Sequence, residues 1–342
     1  MRILVTGGTG YIGSHTCVQL LERGDEVVIV DNLSNSKETV VSSIEKITGK
    51  SPVFYRADIL ESPVFYRADI LDREALEAIF STHDIEAVIH FAGLKAVGES
   101  VSKPLEYYHN NITGTLTLLD VMREHNCFKL VFSSSATVYG TPASVPIRED
   151  FPTGGTTNPY GTTKLFIERV LTDYCAADPS LNVALLRYFN PIGAHESCLI
   201  GDNPNGIPNN LMPYVTRVAK GVLPQLAIYG NDYPTHDGTG VRDFIHVEDL
   251  AAGHIAVLNH MTDAGVKVYN LGTGVGYSVL DLVAAFERAT GIKIPYRIAD
   301  RRPGDIAECW SDPSKAEREL GWRAKRTLEE MCRSAWNFEK AN

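Results

Sequence analysis

The stretch Arg2-Ile-Leu-Val-Thr-Gly-Gly-Thr-Gly-Tyr-Ile-Gly-Ser14 decides the fold. An apolar run, Ile3–Val5, passes straight into a glycine turn, and an amphipathic stretch, Ser14–Glu22, follows. The turn has the spacing Gly7-x-x-Gly10-x-x-Gly13. Glycines so spaced permit a tight turn and let a pyrophosphate approach backbone N–H groups at a helix N-terminus. A glycine triplet alone also serves ordinary packing. Here a second apolar run, Val27–Val30, ends in Asp31, eighteen residues beyond Gly13. An acid in that place accepts hydrogen bonds from an adenosine ribose and repels a 2′-phosphate, which points to NAD rather than NADP.

Working outward, the alternation continues. Ala87–Phe91, Leu130–Phe132 and Val183–Leu186 read as strands, and Glu38–Ile47, Arg73–Phe80, Thr113–Glu124 and Lys164–Cys175 as helices. Continuous apolar strands between amphipathic helices give an α/β fold with a parallel sheet covered on both faces. Short right-handed crossovers make it a Rossmann-type doubly wound sheet. This domain is expected over residues 1–189. Beyond it the texture changes to loops such as Asn203-Pro-Asn-Gly-Ile-Pro-Asn-Asn210. Regular patterns return at Leu250–Leu258, Val268–Leu271 and Val279–Thr290. A smaller α/β C-terminal substrate domain is expected over 190–342, with part of 235–270 returning to the first domain. Ligands commonly bind between two such domains.

One decapeptide occurs twice without change: Ser51-Pro-Val-Phe-Tyr-Arg-Ala-Asp-Ile-Leu60 and Ser62–Leu71, with Glu61 between. Repeat arrays need several units to stack, so two short copies read as a local duplication. The third strand has room for one copy. The second is expected there, because Asp69-Ile-Leu-Asp72 runs directly into the Arg73–Phe80 helix. The first would lengthen a loop, which costs little closure entropy.

The 342 residues are 44% hydrophobic and 22% charged, which excludes a disordered or fibrous chain. The net charge is −10, the wrong sign for a nucleic-acid or anionic-membrane binder. Any anionic substrate must then be met by a local cluster of donors. Cysteines at 17, 127, 175, 198, 309 and 332 form no CxxC pair and read as free thiols. No metal-ligand spacing appears, so no metal is expected. There is no membrane-length apolar run and no leader, so a cytoplasmic protein is expected.

Chemistry enters with Ser133-Ser-Ser135 at the end of a strand and Tyr160-Gly-Thr-Thr-Lys164 at a helix start. Residues at i and i+4 share a helical face. A tyrosine normally titrates near 10, and a nearby ammonium favours its phenolate, making Tyr160 a usable base. Ser135 would orient the reacting oxygen.

The strings Thr6–Gly13 and Arg242-Asp-Phe-Ile-His-Val247, together with the Ser135, Tyr160 and Lys164 set, resemble the extended short-chain dehydrogenase/reductase family. More narrowly, His90-Phe-Ala-Gly-Leu-Lys-Ala-Val-Gly-Glu-Ser100, Ser133–Gly140, Leu186-Arg-Tyr-Phe-Asn-Pro191 and Gly206–Pro213 resemble its UDP-glucose 4-epimerase branch, essentially from end to end. The duplicated decapeptide departs from that pattern.

The resemblance implies NAD-dependent inversion at C4 of a UDP-hexose through a 4-keto sugar, with no net redox. It makes Tyr160 the base and Ser135 the partner of the 4-oxygen. Lys164 would bind the nicotinamide ribose and depress the Tyr160 pKa. The implied cofactor contacts are Gly7, Gly10, Tyr11, Ile12, Gly13, Asp31, Asn32, Asn35, Ser36, Asp69, Ile70, Phe91, Ala92, Gly93, Lys95, Asn110 and Tyr188, besides Ser135, Tyr160 and Lys164. The repeat leaves open whether Asp58 or Asp69 serves the adenine. The implied substrate contacts, besides Ser135 and Tyr160, are Phe189, Asn190, Asn210, Leu211, Ala227, Ile228, Tyr229, Arg242, Arg302, Asp305 and Cys309. Arg242 and Arg302 would fork onto the diphosphate, the donor cluster that the net charge demands. Cys309 is either a small buried residue or the feature that leaves space for a 2-acetamido group. In the family a bulky tyrosine or something small stands there. A homodimer through the Thr113–Glu124 and Lys164–Cys175 helices is also implied.

Two alternatives differ in kind. A nucleotide-sugar 4,6-dehydratase needs an acid pair after Ser135, where Ala136-Thr137 stands. A non-catalytic NAD-sensing protein has no use for the Tyr-x-x-x-Lys pair.

Overall fold

The computed structural model describes residues 1–50, 64–205, 208, 210–302 and 304–342. The first copy of the decapeptide, Asp58 within it, and part of the Gly206–Pro213 string lie outside the described residues.

The first half is a run of parallel crossovers. Its elements are β1 (Arg2–Thr6), α1 (Tyr11–Arg23), β2 (Glu26–Asp31), α2 (Thr39–Thr48), β3 (Val64–Arg67) and α3 (Arg73–Thr82). There follow β4 (Ala87–His90), α4 (Val97–Ser102), α5 (Pro104–Tyr108), α6 (Gly114–Glu124), β5 (Lys129–Ser135), α7 (Pro159–Ala177) and β6 (Asn182–Tyr188). The second half holds β7 (Asn190–Ile192), α8 (Leu211–Ala219), β8 (Leu226–Tyr229), β9 (Val241–Arg242), β10 (Phe244–His246) and α9 (Val247–Asn259). The chain closes with β11 (Gly265–Leu271), β12 (Tyr277–Ser278), α10 (Val279–Thr290), β13 (Tyr296–Ala299), β14 (Glu308–Cys309), α11 (Ser314–Leu320) and α12 (Leu328–Ala341).

The central sheet has seven strands in the order β11-β6-β5-β4-β1-β2-β3, every pairing parallel. This is the doubly wound sheet that the alternation of strands and helices predicts. Strand period explains its two covered faces. Ile3 and Val5 of β1 pack with Leu20 of α1 and Leu250 of α9, while Leu4 packs with Leu76 of α3 and Leu118 of α6. The strand order reverses between β1 and β4, where such sheets open a ligand crevice at the strands' C-terminal ends.

β3 is the second copy of the decapeptide, its Val64–Arg67 in register with Val28–Asp31. The Asp72 side chain caps α3, accepting from Ala75 N at 3.0 Å, so this copy leads into the helix as expected.

β11 lies parallel to β6 in the main sheet, and α9 covers α1. The rest of the second half has its own apolar cluster, including Met212, Val215, Ile228, Phe244, Leu282, Phe286 and Met331. Two short non-local pairings shape it. β14 runs parallel to β9, setting Cys309 against Arg242, and β13 runs parallel to β8. Among the described residues no helix is long and apolar enough to cross a membrane. All six cysteines are free thiols.

Candidate active site

A cavity of about 1200 Å³ opens at the strand-order reversal and extends between the sheet and the second half. Every site residue expected from the sequence lies on its wall except Asp69. Asp69 is next to it, its carboxylate accepting from Asn32 Nδ2 at 2.8 Å.

One end is the glycine turn. Gly7 has φ +71°, and a Cβ there would come within 2.8 Å of Ala92 N. A Cβ on Gly13 would stand 2.2 Å from the Gly7 carbonyl oxygen. The turn is therefore closed to side chains at both points. α1 begins at Tyr11 behind Gly10, with no side-chain cap. Its first N–H groups and its dipole face the cavity, an arrangement that suits a pyrophosphate. Asp31 is anchored beside it, accepting from Thr9 N at 3.1 Å, Leu33 N at 2.9 Å and the Ser36 hydroxyl at 3.1 Å. A carboxylate has lone pairs left for a ribose. These residues fit a dinucleotide. On the far wall a single wide helical turn, His109–Thr113, separates α5 from α6 and turns Asn110 inward. Its neighbour Asn111 fixes that turn, accepting from Leu94 N at 2.8 Å and donating to Thr163 Oγ1 at 3.0 Å.

The middle of the cavity holds the expected catalytic set. Pro159 starts α7, and Asn158 caps it by accepting from Gly161 N at 2.9 Å, which puts Tyr160 in the first turn. Ser135 ends β5 and accepts from Thr137 N at 3.2 Å. Lys164 is buried, donating to the Ser133 carbonyl at 2.7 Å and lying 4.8 Å from the Phe132 ring centre. Its ammonium is 6.0 Å from the Tyr160 ring centre. The fold adds burial, which the spacing does not reveal. Burial raises the Tyr160 pKa above its usual value, opposed by the hydrogen bond with Ser135. Burial lowers Lys164 to about 8, against the pull of Glu168 upward. The protein groups alone keep Tyr160 a phenol at neutral pH.

The outer end is lined by β8, Arg302, Gly304, Asp305 and Arg242. Arg242 donates to the carbonyls of Val241 at 2.8 Å and Ala307 at 3.4 Å. Arg302 stacks 4.9 Å from the Tyr229 ring centre and pairs with Asp305 at 2.9 and 3.3 Å. Here the geometry departs from a free arginine fork, since Asp305 already occupies the Nε and Nη2 edge of Arg302 and leaves Nη1 without a partner among the described residues. Cys309 packs beside Ala136, Tyr139 and Phe189, and burial pushes its thiol up to about 11. It is a small apolar wall residue rather than a nucleophile.

Comparison with known proteins decides the family. A family model described as GDP-mannose 4,6 dehydratase matches residues 4–335. The UDP-glucose 4-epimerase of Bacillus subtilis (strain 168) is 60% identical over 343 aligned residues, covering 100% of this chain and 98% of that protein. The chain belongs to the UDP-glucose 4-epimerase family. Within that family, the crystal structure of the Bifidobacterium longum enzyme in complex with NAD⁺ and UDP superposes with a TM-score of 0.95 at 55% identity, covering 100% of this chain and 99% of that one. The UDP-Glc/GlcNAc 4-epimerase of Campylobacter jejuni superposes at 0.83 and 34% identity, covering 100% and 99%.

Two further wall residues stand outside the expected set. Thr137 lies on the cavity wall with its Oγ1 buried and without a partner among the described residues. It stands inside the quoted serine-rich string, so position alone could have flagged it. Tyr233 also lines the wall, its ring 4.0 Å from the Arg301 guanidinium and its hydroxyl unpartnered among the described residues. Nothing local in the sequence points to it.

Proposed function

We propose that this chain is an NAD-dependent epimerase that interconverts UDP-galactose and UDP-glucose by inversion at C4. The observation that carries the reading is the convergence of Ser135, Tyr160 and Lys164 in one cavity between a glycine turn open to a pyrophosphate and a paired arginine rim. Bound NAD supplies the two-electron acceptor and donor. Tyr160 takes the 4-hydroxyl proton and later returns it, and Ser135 holds the 4-oxygen within reach. Lys164 brings a positive charge to the ribose and to the phenolate. Arg242 and Arg302 hold the diphosphate, leaving the hexose free to present either face as a 4-keto sugar. Residues 1–189 carry the cofactor and 190–342 the nucleotide-sugar, with β11 and α9 supporting the first. Asp69, through Asn32, borders the adenine end.

The description of the matching family model raises 4,6-dehydration as a second reading. The Ala136-Thr137 pair argues against it, because elimination of water across C5–C6 needs a carboxylic acid and a base there.

We extend the substrate range to UDP-N-acetylhexosamines on the size of Cys309. Purified protein given no added NAD should convert UDP-galactose and also UDP-N-acetylgalactosamine, product being read by chromatography. Cys309→Tyr should abolish the N-acetyl reaction and spare the plain hexose. Equal loss of both would remove the size argument, and a 4-keto-6-deoxy product would favour the dehydratase.

A homodimer is supported by large apolar side chains left exposed on three neighbouring helices: Leu105 of α5, Leu116 of α6 and Phe166 of α7, at 81, 43 and 48%. Phe166 also stacks on Tyr108, 6.3 Å between ring centres. Such patches mark interfaces. Sedimentation should give two chains per particle, and Leu116→Glu with Phe166→Glu should give one.

A further inference from the structure

The last three residues of β5 each meet a different residue of α7. The Ser133 carbonyl accepts from Lys164 at 2.7 Å, and Ser135 stands beside Tyr160, opposing the rise of the phenol's pKa. Between them the Ser134 hydroxyl donates to Glu168 Oε1 at 2.5 Å. Glu168 is buried, one helical turn beyond Lys164, and Arg187 of β6 grips it through two bonds, Nε to Oε1 at 3.0 Å and Nη2 to Oε2 at 2.6 Å. Arg187 is held in turn by the Tyr139 hydroxyl at 3.0 Å, and Tyr139 by Asn270 of β11 at 2.8 Å. A buried ion pair of this kind contributes little net stability, so its geometry is the feature to explain.

We propose that Glu168 is a positioning residue for the reaction: it locks α7 in register with the Ser133-Ser134-Ser135 strand end and supplies the negative charge beside the Lys164 ammonium. This rests on the roles given above to Tyr160 and Lys164. Lys164 is faced by Tyr160 and Glu168 on its own helix and by His90 on β4, while Tyr188 of β6 and Tyr107 of α5 feel Tyr160, and Arg187 of β6 pairs with Glu168. Burial, then the nearby Lys164, lowers His90 to about 3, so it stays neutral. Among these described groups Glu168 alone is a carboxylate, paired with Arg187. Removing its charge lets burial lower Lys164 further, so the ammonium is lost at a lower pH.

The test uses the full-length holoenzyme and three readouts: kcat against pH, NAD released by acid after gel filtration, and Tm. Glu168→Gln keeps an acceptor for Ser134 but no charge. Its alkaline limb of kcat should move down by about one pH unit and kcat at pH 8 should fall about fivefold, with KM for UDP-galactose and bound NAD little changed. Its Tm should also fall, because Arg187 is left buried and unpaired. Glu168→Gln with Arg187→Gln removes both charges and should recover Tm, while the limb stays displaced. An unmoved limb in Glu168→Gln, or a limb that recovers together with Tm in the double variant, would overturn the proposal. Glu168→Asp guards against failure to fold: it keeps the charge and withdraws from Ser134, so kcat falls with the limb in place, and a displaced limb there also counts against the proposal. An inactive wild type would instead overturn the reaction assignment on which the proposal rests.

Discussion

Tyr160→Phe lowers kcat for C4 inversion about a thousandfold, with KM for UDP-galactose changed less than about threefold. The substitution removes one oxygen and keeps the ring, so the packing of α7 against β5 survives. What is lost is the hydroxyl proposed to take the proton and give it back, because among the described residues beside it Ser135 is a far weaker base and Lys164 is proposed to work as a cation. The pH dependence has a definite sign. Burial favours the neutral phenol and raises the Tyr160 pKa. In the proposed reaction the working form is the phenolate, so wild-type kcat should fall on the acid side. The residual rate of Tyr160→Phe should show no such acid limb. A pH–rate profile that keeps its acid limb in the variant would assign the base to another group.

The reading of the first half from sequence succeeded for a physical reason. A strand buried on both faces has no polar alternation, and a helix over it must be amphipathic, so β1, β2, β4, β5 and β6 announced themselves within their own residues. The glycine turn was legible because only glycine fits where backbones meet, at Gly7 against Ala92 and at Gly13 against Gly7. Tyr160 and Lys164 were legible because helix period puts i and i+4 together. What stayed hidden depends on distant pairings. The placement of Cys309 beside Arg242 comes from β14 lying on β9 across a long sequence gap. The Arg301–Tyr233 stack depends on β13 lying on β8. The role of Glu168 required seeing Arg187 arrive from β6. The charge state of Tyr160 was half visible, because spacing supplied the ammonium while only the folded wall supplied the desolvation.

Gly13→Ala strips the enzyme of its cofactor: protein purified without added NAD should carry less than about a tenth of the wild-type content, and activity should return only in part when NAD is added. Two effects compete at this position. Gly13 is the third residue of α1 and not in a left-handed conformation, so alanine gains about 1 kcal/mol of helix propensity. Against this, the new Cβ falls 2.2 Å from the Gly7 carbonyl and 2.9 Å from Gly8 Cα. Both neighbours are backbone, with no side chain to swing aside, and overpacking of that kind costs about 1–3 kcal/mol. The Gly7 carbonyl accepts from Gly10 N at 3.1 Å, so moving it opens the turn that aims the first N–H groups of α1. The two terms cancel only in part in global stability, leaving a loss of about 0–2 kcal/mol, and Tm should drop by a few degrees. They do not cancel at the site, because a displacement of a few tenths of an ångström there acts on every donor facing the pyrophosphate at once. A variant with wild-type NAD content would show that the turn can yield without losing its ligand, and the glycine spacing would then be a matter of packing alone.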